Sequence, residues 1–157
     1  YATSAENLKR VLGRRVLKTA QLHKTDMDQA REWIEDIVNG LVRAGAVDDT
    51  RFAEGKTTSM LRKGQSLAKV RAYLRNKGIS QSVISNVMAA AASQSEDPDL
   101  KAARTYARKR GLGPYRVAKD SPERRNKELA TLGRAGFRYE TARKIVEAND
   151  KEALDRT

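Results

Sequence analysis

Three short helical patterns follow one another between Ala46 and Ala92, and each begins at a residue that can cap a helix. An N-cap side chain accepts a backbone N–H that has no partner inside the helix, and a carboxylate there also suits the positive end of the helix dipole. The first two patterns end at Gly64 and Gly78, because glycine adopts the left-handed conformation of a helix end at least cost. The candidate caps are, in chain order, Asp48 or Asp49, then Ser66, then Ser80 or Ser82.

Apolar residues recur within these patterns at the spacing of one helix face. The three stripes consist of Phe52, Ala53, Met60 and Leu61, of Val70, Tyr73 and Leu74, and of Val83, Ile84, Val87 and Met88. Helices this short bury little apolar surface, so a unit of three is marginally stable alone and gains by stacking on copies of itself.

Weak internal copies of this unit are present on both sides. Aligning Gly78 with Gly136 also aligns Leu74 with Leu132. Aligning Ser66 with Ser4 also aligns Val70 with Leu8. We therefore expect a first repeat at 1–45 that is incomplete at its N-terminal end, a second at 46–95, a third at 96–149, and a charged, frayed tail at 150–157. Tyr1 is not a natural start, so we expect an N-terminal part to precede it.

The rest of the chain has helical periodicity, and no alternating strand pattern stands next to a hairpin turn. The residues 111–116 are expected to form a loop, since Gly113 followed by Pro114 disfavours a helix. The second helix is expected to carry a broad apolar face of Ile34, Ile37, Val38, Leu41 and Val42. Further helices are expected at about Ser4 to Leu22, about Asp26 to Ala44, Asp99 to Arg110, from Ser121 and Pro122 onward, and Tyr139 to Ala148. The predicted fold is all-α, with tandem three-helix repeats that form an elongated, curved solenoid of either hand.

Charge is the strongest global property of the 157-residue chain. Its 32 Lys and Arg against 20 Asp and Glu give a net charge of +12, which predicts attraction to nucleic acid or to a partner with an acidic groove. The absence of Cys excludes disulfides and thiolate zinc sites and agrees with a reducing compartment. A mean hydropathy of −0.72 and the lack of a long apolar run argue against a membrane span, so we expect a cytoplasmic protein.

Two clusters of cations are candidate contact sites for a polyanion. Charge runs of this kind are also typical of solvated helix faces, and that alternative stays open. Tyr73 and Tyr106 lie among these cations and could stack on bases, although both also fall on apolar stripes and suit a core. The clusters consist of Arg62, Lys63, Lys69, Arg71, Arg75 and Lys77, and of Arg104, Arg108, Lys109 and Arg110.

Catalytic patterns are weak, and we predict neither an enzyme nor a bound cofactor or metal. The single histidine, His23, lies in a polar turn without a Cys or a nearby Ser-rich loop, which argues against a metal or catalytic-triad role. The pair Asp48 and Asp49 is more typical of a helix cap than of an acid pair. The glycines at 111 and 113 lack the Lys and Ser or Thr that end a phosphate-binding loop.

The central stretch resembles the signature of the RecX regulatory proteins, which bind RecA recombinase and modulate its filaments. The stretches 1–16, 112–116 and 132–146 resemble further parts of that family, so the resemblance covers nearly the whole chain. The residues that carry it are Gly45, Val47, Asp48, Asp49, Phe52, Ala53, Gly64, Ser66, Val70, Leu74, Lys77, Gly78 and Ile79.

The resemblance implies a curved array of three-helix repeats that lies in the groove of a RecA filament on single-stranded DNA and limits its growth or activity. We expect the protein to be a monomer. It also implies that the two basic clusters contact RecA or DNA phosphates. A second hypothesis is a general DNA-binding helical module of nucleoid or transcription-factor type, in which one basic helix enters the major groove.

Overall fold

The computed structural model describes residues 3–20, 26–94, 97–117, 119–148 and 150. These residues form eight α-helices and one short 3₁₀ turn and contain no strand, which confirms the predicted all-α class. His23, the end of the first predicted helix at Leu22 and the tail at 151–157 lie outside this range. The helices are α1 (Ala5–Ala20), α2 (Met27–Arg43), α3 (Asp49–Arg62), α4 (Leu67–Asn76), α5 (Gln81–Ser93), α6 (Pro98–Arg110), α7 (Pro122–Arg134) and α8 (Tyr139–Glu147).

Most predicted helix starts coincide with observed caps. Asp48, Ser66 and Ser80 each accept a backbone N–H from the first turn of the following helix, so the alternatives Asp49 and Ser82 are not the caps. The residues at 111–116, expected to form a loop, contain a single 3₁₀ turn at Gly113–Tyr115. Pro114 fits this turn because its fixed backbone angle is compatible with it.

Two apolar cores organise the chain from α3 onward. The central unit, α3 to α5, is built around Phe52, Val70, Leu74 and other buried residues of the predicted stripes. The C-terminal unit, α6 to α8, is built around residues such as Leu100 and Leu132. The two units pack together through α3 and α6, so they share a continuous body of helices.

The pair α1 and α2 buries much less. None of the described residues of α1 is fully buried, and in α2 only Ala30 and Val38 are. Ile37 and Val42, expected on an apolar face, are 56% and 45% exposed. The reason is that α2 packs mainly on one helix, α1, whereas α5 and α8 each pack on two helices.

The same set of hydrogen bonds links successive units. The Ser66 hydroxyl donates to the Ala135 carbonyl at 2.8 Å, and the Ser4 hydroxyl donates to the Lys77 carbonyl. In each case the next residue donates its backbone N–H to a carboxylate near the start of a following helix, from Leu67 to Asp99 at 2.8 Å and from Ala5 to Asp49 at 2.9 Å. We call this set of contacts the serine joint.

No helix within the described ranges has both the length and the apolar composition that a bilayer span requires.

Candidate partner-binding surface

The helix α4 presents cations because its opposite side is buried. Val70 and Leu74 are fully buried in the central core, so the opposite side of the helix faces solvent. Lys69, Arg71 and Arg75 are exposed and make no ion pair with any described residue. We call these three residues the α4 basic face.

Lys77 belongs to the same sequence cluster but has a different environment. Its ammonium donates to the Asn7 side-chain oxygen at 3.0 Å and lies 5.8 Å from the centre of the Tyr73 ring. Lys77 therefore helps to hold α1 against α4, and its charge is less available to a partner.

The ends of α3 and α6 bring the two sequence clusters together. The Lys109 ammonium donates to the Lys63 carbonyl at 3.0 Å, so cations from both clusters lie side by side where these helices end. A Cβ on Gly64 would lie 2.8 Å from the Tyr106 backbone nitrogen, which shows how closely the backbone after α3 approaches the backbone of α6. Arg62, Arg108 and Arg110 are exposed at the same helix ends, and Arg104 is half-buried.

The two candidate tyrosines pack against the cores. Tyr106 contacts Phe137, with ring centres 5.7 Å apart, and the Arg110 guanidinium lies over its ring at 5.7 Å. Tyr73 packs against the central core. Both rings are half-buried, so they stabilise the helices that carry the cations.

Sequence reasoning missed Arg138, which lies close to the α4 basic face. It lines a cavity of about 600 Å³ together with Arg71, so cations from the central and C-terminal units face one space. The internal comparison that pairs Gly78 with Gly136 also sets Ser80 on Arg138. The C-terminal copy therefore has an arginine at the position where the central unit has the capping Ser80. This difference was the sequence signal that could have identified Arg138.

The same cavity contains two carboxylates with structural roles. Asp97 caps α6 by accepting the Leu100 N–H at 2.9 Å. Asp99 is buried in the serine joint, and burial raises the pKa of its carboxyl, an effect that the hydrogen bond from the Leu67 N–H opposes.

The arrangement offers no evident acid–base or metal chemistry within the described residues. They contain no group of three His, Cys, Asp or Glu side chains that could hold a metal ion. Asp48 accepts the Arg51 N–H and Asp49 accepts the Ala5 N–H, so this carboxylate pair stabilises the fold.

Comparisons with known proteins agree with this description. A family model described as RecX, second three-helix domain, matches residues 48–88, which run from the cap of α3 into α5. No solved structure matches the chain. The regulatory protein RecX of Myxococcus xanthus is 36% identical, over 95% of this chain and 79% of its own length. The regulatory protein RecX of Agrobacterium fabrum is 33% identical, over 92% of this chain and 82% of its own length. With relatives this similar along most of both chains, the protein belongs to the RecX family.

Proposed function

We propose that this protein binds RecA and RecA filaments on single-stranded DNA, lies in the filament groove, and negatively modulates ATP hydrolysis and filament extension. It acts by binding and performs no catalysis. Membership of a family of regulatory proteins supports the regulatory role. The α4 basic face and the cations at the ends of α3 and α6 are the proposed contacts.

The observation that carries this proposal is the set of exposed cations on α4 that no described carboxylate neutralises. Cations without internal partners attract phosphates and acidic protein surfaces. A helix with a buried apolar side and a solvated cationic side therefore suits a polyanionic filament.

Repetition strengthens such binding. The serine joint links α1 to the central unit and the central unit to the C-terminal unit, so the chain presents similar elements in succession. A filament offers repeated sites, and several weak contacts on one ligand produce a high overall affinity. We propose that the described units form the curved array that this groove requires.

The test measures RecA-dependent ATP hydrolysis on single-stranded DNA during titration with the purified protein. We expect inhibition at amounts well below one copy per RecA subunit, because blocking filament growth needs few molecules. The variant K69E/R71E/R75E is expected to lose this inhibition while its circular dichroism stays that of the wild type. Lys77 is left unchanged because its contact with Asn7 stabilises the fold.

A matched control separates this face from total charge. The variant R43E/R51E/K144E changes three exposed cations on α2, α3 and α8 and lowers the net charge equally. We expect it to inhibit like the wild type. Equal inhibition by both triple variants would remove the α4 basic face from the site, and no inhibition by the wild-type protein would refute the proposed function.

A further inference from the structure

A second surface, separate from the α4 basic face, lies where α3, α5 and α6 meet. These helices enclose a groove of about 320 Å³, which we call the α3–α6 groove. Its apolar part includes Leu61, Ala91 and Ala102, and its polar part includes Thr57, Arg62 and Lys101.

Thr57 is the unusual residue of this groove. It is 2% exposed, and its hydroxyl oxygen has no hydrogen-bond partner in the part of the chain that the structure describes. Buried polar groups in native proteins are almost always paired, because an unpaired one has lost its water without replacement. Because the hydroxyl oxygen itself has almost no accessible surface, a polar group of a ligand can pair with it only after neighbouring side chains of the groove shift.

Charge restricts the ligand further. Arg62 and Lys101 line the groove, and neither makes an ion pair with a described residue. No carboxylate is among the lining side chains that the structure describes. The larger cavity beside α4 differs, because Asp97 and Asp99 line it together with its arginines. The α3–α6 groove therefore favours an anionic group.

The apolar surface distinguishes a protein segment from a nucleic acid. Single-stranded nucleic acids bind by stacking bases on aromatic side chains, and the described lining of the groove contains no aromatic residue. Methyl and methylene groups cover much of it instead, which suits an aliphatic side chain. Amphipathic segments with regularly spaced apolar anchors bind grooves between helices in this way.

We propose that the α3–α6 groove binds an acidic, amphipathic segment of a partner protein. An aliphatic side chain of that segment contacts Leu61 and Ala102, a carboxylate lies between Arg62 and Lys101, and a polar group pairs with the Thr57 hydroxyl. This site goes beyond the proposed regulatory function, although it shares Arg62 with the filament contacts proposed there. Its test needs neither RecA nor DNA.

The experiment titrates the ¹⁵N-labelled full chain with a blocked hexapeptide, Glu-Glu-Leu-Glu-Glu-Leu, and follows backbone amide resonances. We expect the largest shifts at Thr57, Thr58 and Ala102. The same peptide with Gln in place of Glu is expected to bind about tenfold more weakly, because a charge-assisted contact is lost.

Two variants test the groove in different ways. K101E reverses one cation and A91F fills the apolar part, and each is expected to weaken binding of the Glu peptide by about tenfold or more. The control K127E makes the same charge change on the exposed side of α7 and should leave the affinity within about twofold. Circular dichroism checks that each variant is folded, and K101E alone decides the test if A91F is not.

Three outcomes would overturn the proposal. The first is the absence of shifts with the Glu peptide, and the second is shifts confined to α4. The third is displacement of the peptide from the same amides by an oligothymidine, which would make the groove a nucleic-acid site.

Discussion

Gly136 illustrates how a single residue determines the contact between two units. Its backbone angle φ is +85°, a region that residues with a side chain rarely adopt. A Cβ there would lie 2.7 Å from the Ser66 hydroxyl oxygen and 3.4 Å from the Ala68 Cβ. Glycine is therefore required both by the backbone conformation and by the close approach of α4.

We predict that G136A lowers the free energy of unfolding by about 2–3 kcal/mol, of which about 1–2 kcal/mol comes from the left-handed conformation and the rest from displacement of Ser66. Urea denaturation monitored by circular dichroism measures this change. Gly133 provides the control, because it lies within α7 with nothing within 4 Å of its Cβ position. G133A should raise the stability by about 0.5–1 kcal/mol, since alanine favours a helix. Similar effects of the two substitutions would contradict the argument.

At the scale of elements, the N-terminus of α4 is stabilised from two sides. The Ser66 hydroxyl accepts the Lys69 N–H at 3.3 Å and donates to the Ala135 carbonyl at 2.8 Å. Helix α7 cannot form the complete serine joint, because Ser121 is followed by Pro122, which has no backbone N–H. Leu67 and Ala5 each donate a backbone N–H to a carboxylate, and Pro122, the equivalent residue at the start of α7, cannot form this bond.

We predict that S66A destabilises the protein by about 2–3 kcal/mol, the sum of a lost helix cap and a buried carbonyl left without its donor. S80A is the matched control, since Ser80 is exposed, and its hydroxyl accepts the Val83 N–H and pairs with the neighbouring Ser82 hydroxyl but makes no bond to another unit. That control should cost only about 0.5–1 kcal/mol. Thermal and urea unfolding of both variants measure the difference, and equal losses would show that the bond to Ala135 contributes nothing.

For the whole molecule, the net charge of +12 predicts binding of single-stranded DNA that weakens steeply with salt. Each phosphate contact contributes about 0.7 to the slope of log affinity against log salt concentration for single strands. The α4 basic face supplies three cations to such contacts.

We predict that K69Q/R71Q/R75Q lowers this slope by about 2 for an oligothymidine, since three contacts of about 0.7 each are lost. Fluorescence anisotropy across a salt series measures it. R43Q/R51Q/K144Q, with the same change of charge, should keep the wild-type slope. Tight binding with a preference for one sequence would instead favour the alternative of a general DNA-binding module.

Much of the fold was predictable because helix starts and ends depend on nearby residues. A cap such as Ser66 needs only the N–H groups of the next turn, and a glycine such as Gly78 is selected by its own backbone angle. The apolar stripes of α3 to α5 identified most of the central core, including Phe52, Val70 and Leu74. The same periodicity overestimated the burial of Ile37, since a stripe shows only which side of a helix could be covered.

The sequence by itself therefore determined the all-α class, most of the helix limits and which residues are charged, because each depends on local spacing or on composition. Tertiary structure alone decided that the Ser66 hydroxyl bonds to Ala135, that Lys77 is bound to Asn7, and that Arg138 joins Arg71 beside one cavity. The physical reason is that such contacts join residues far apart in the chain. Their geometry is set by how whole helices pack, and spacing along the sequence contains no measure of that distance.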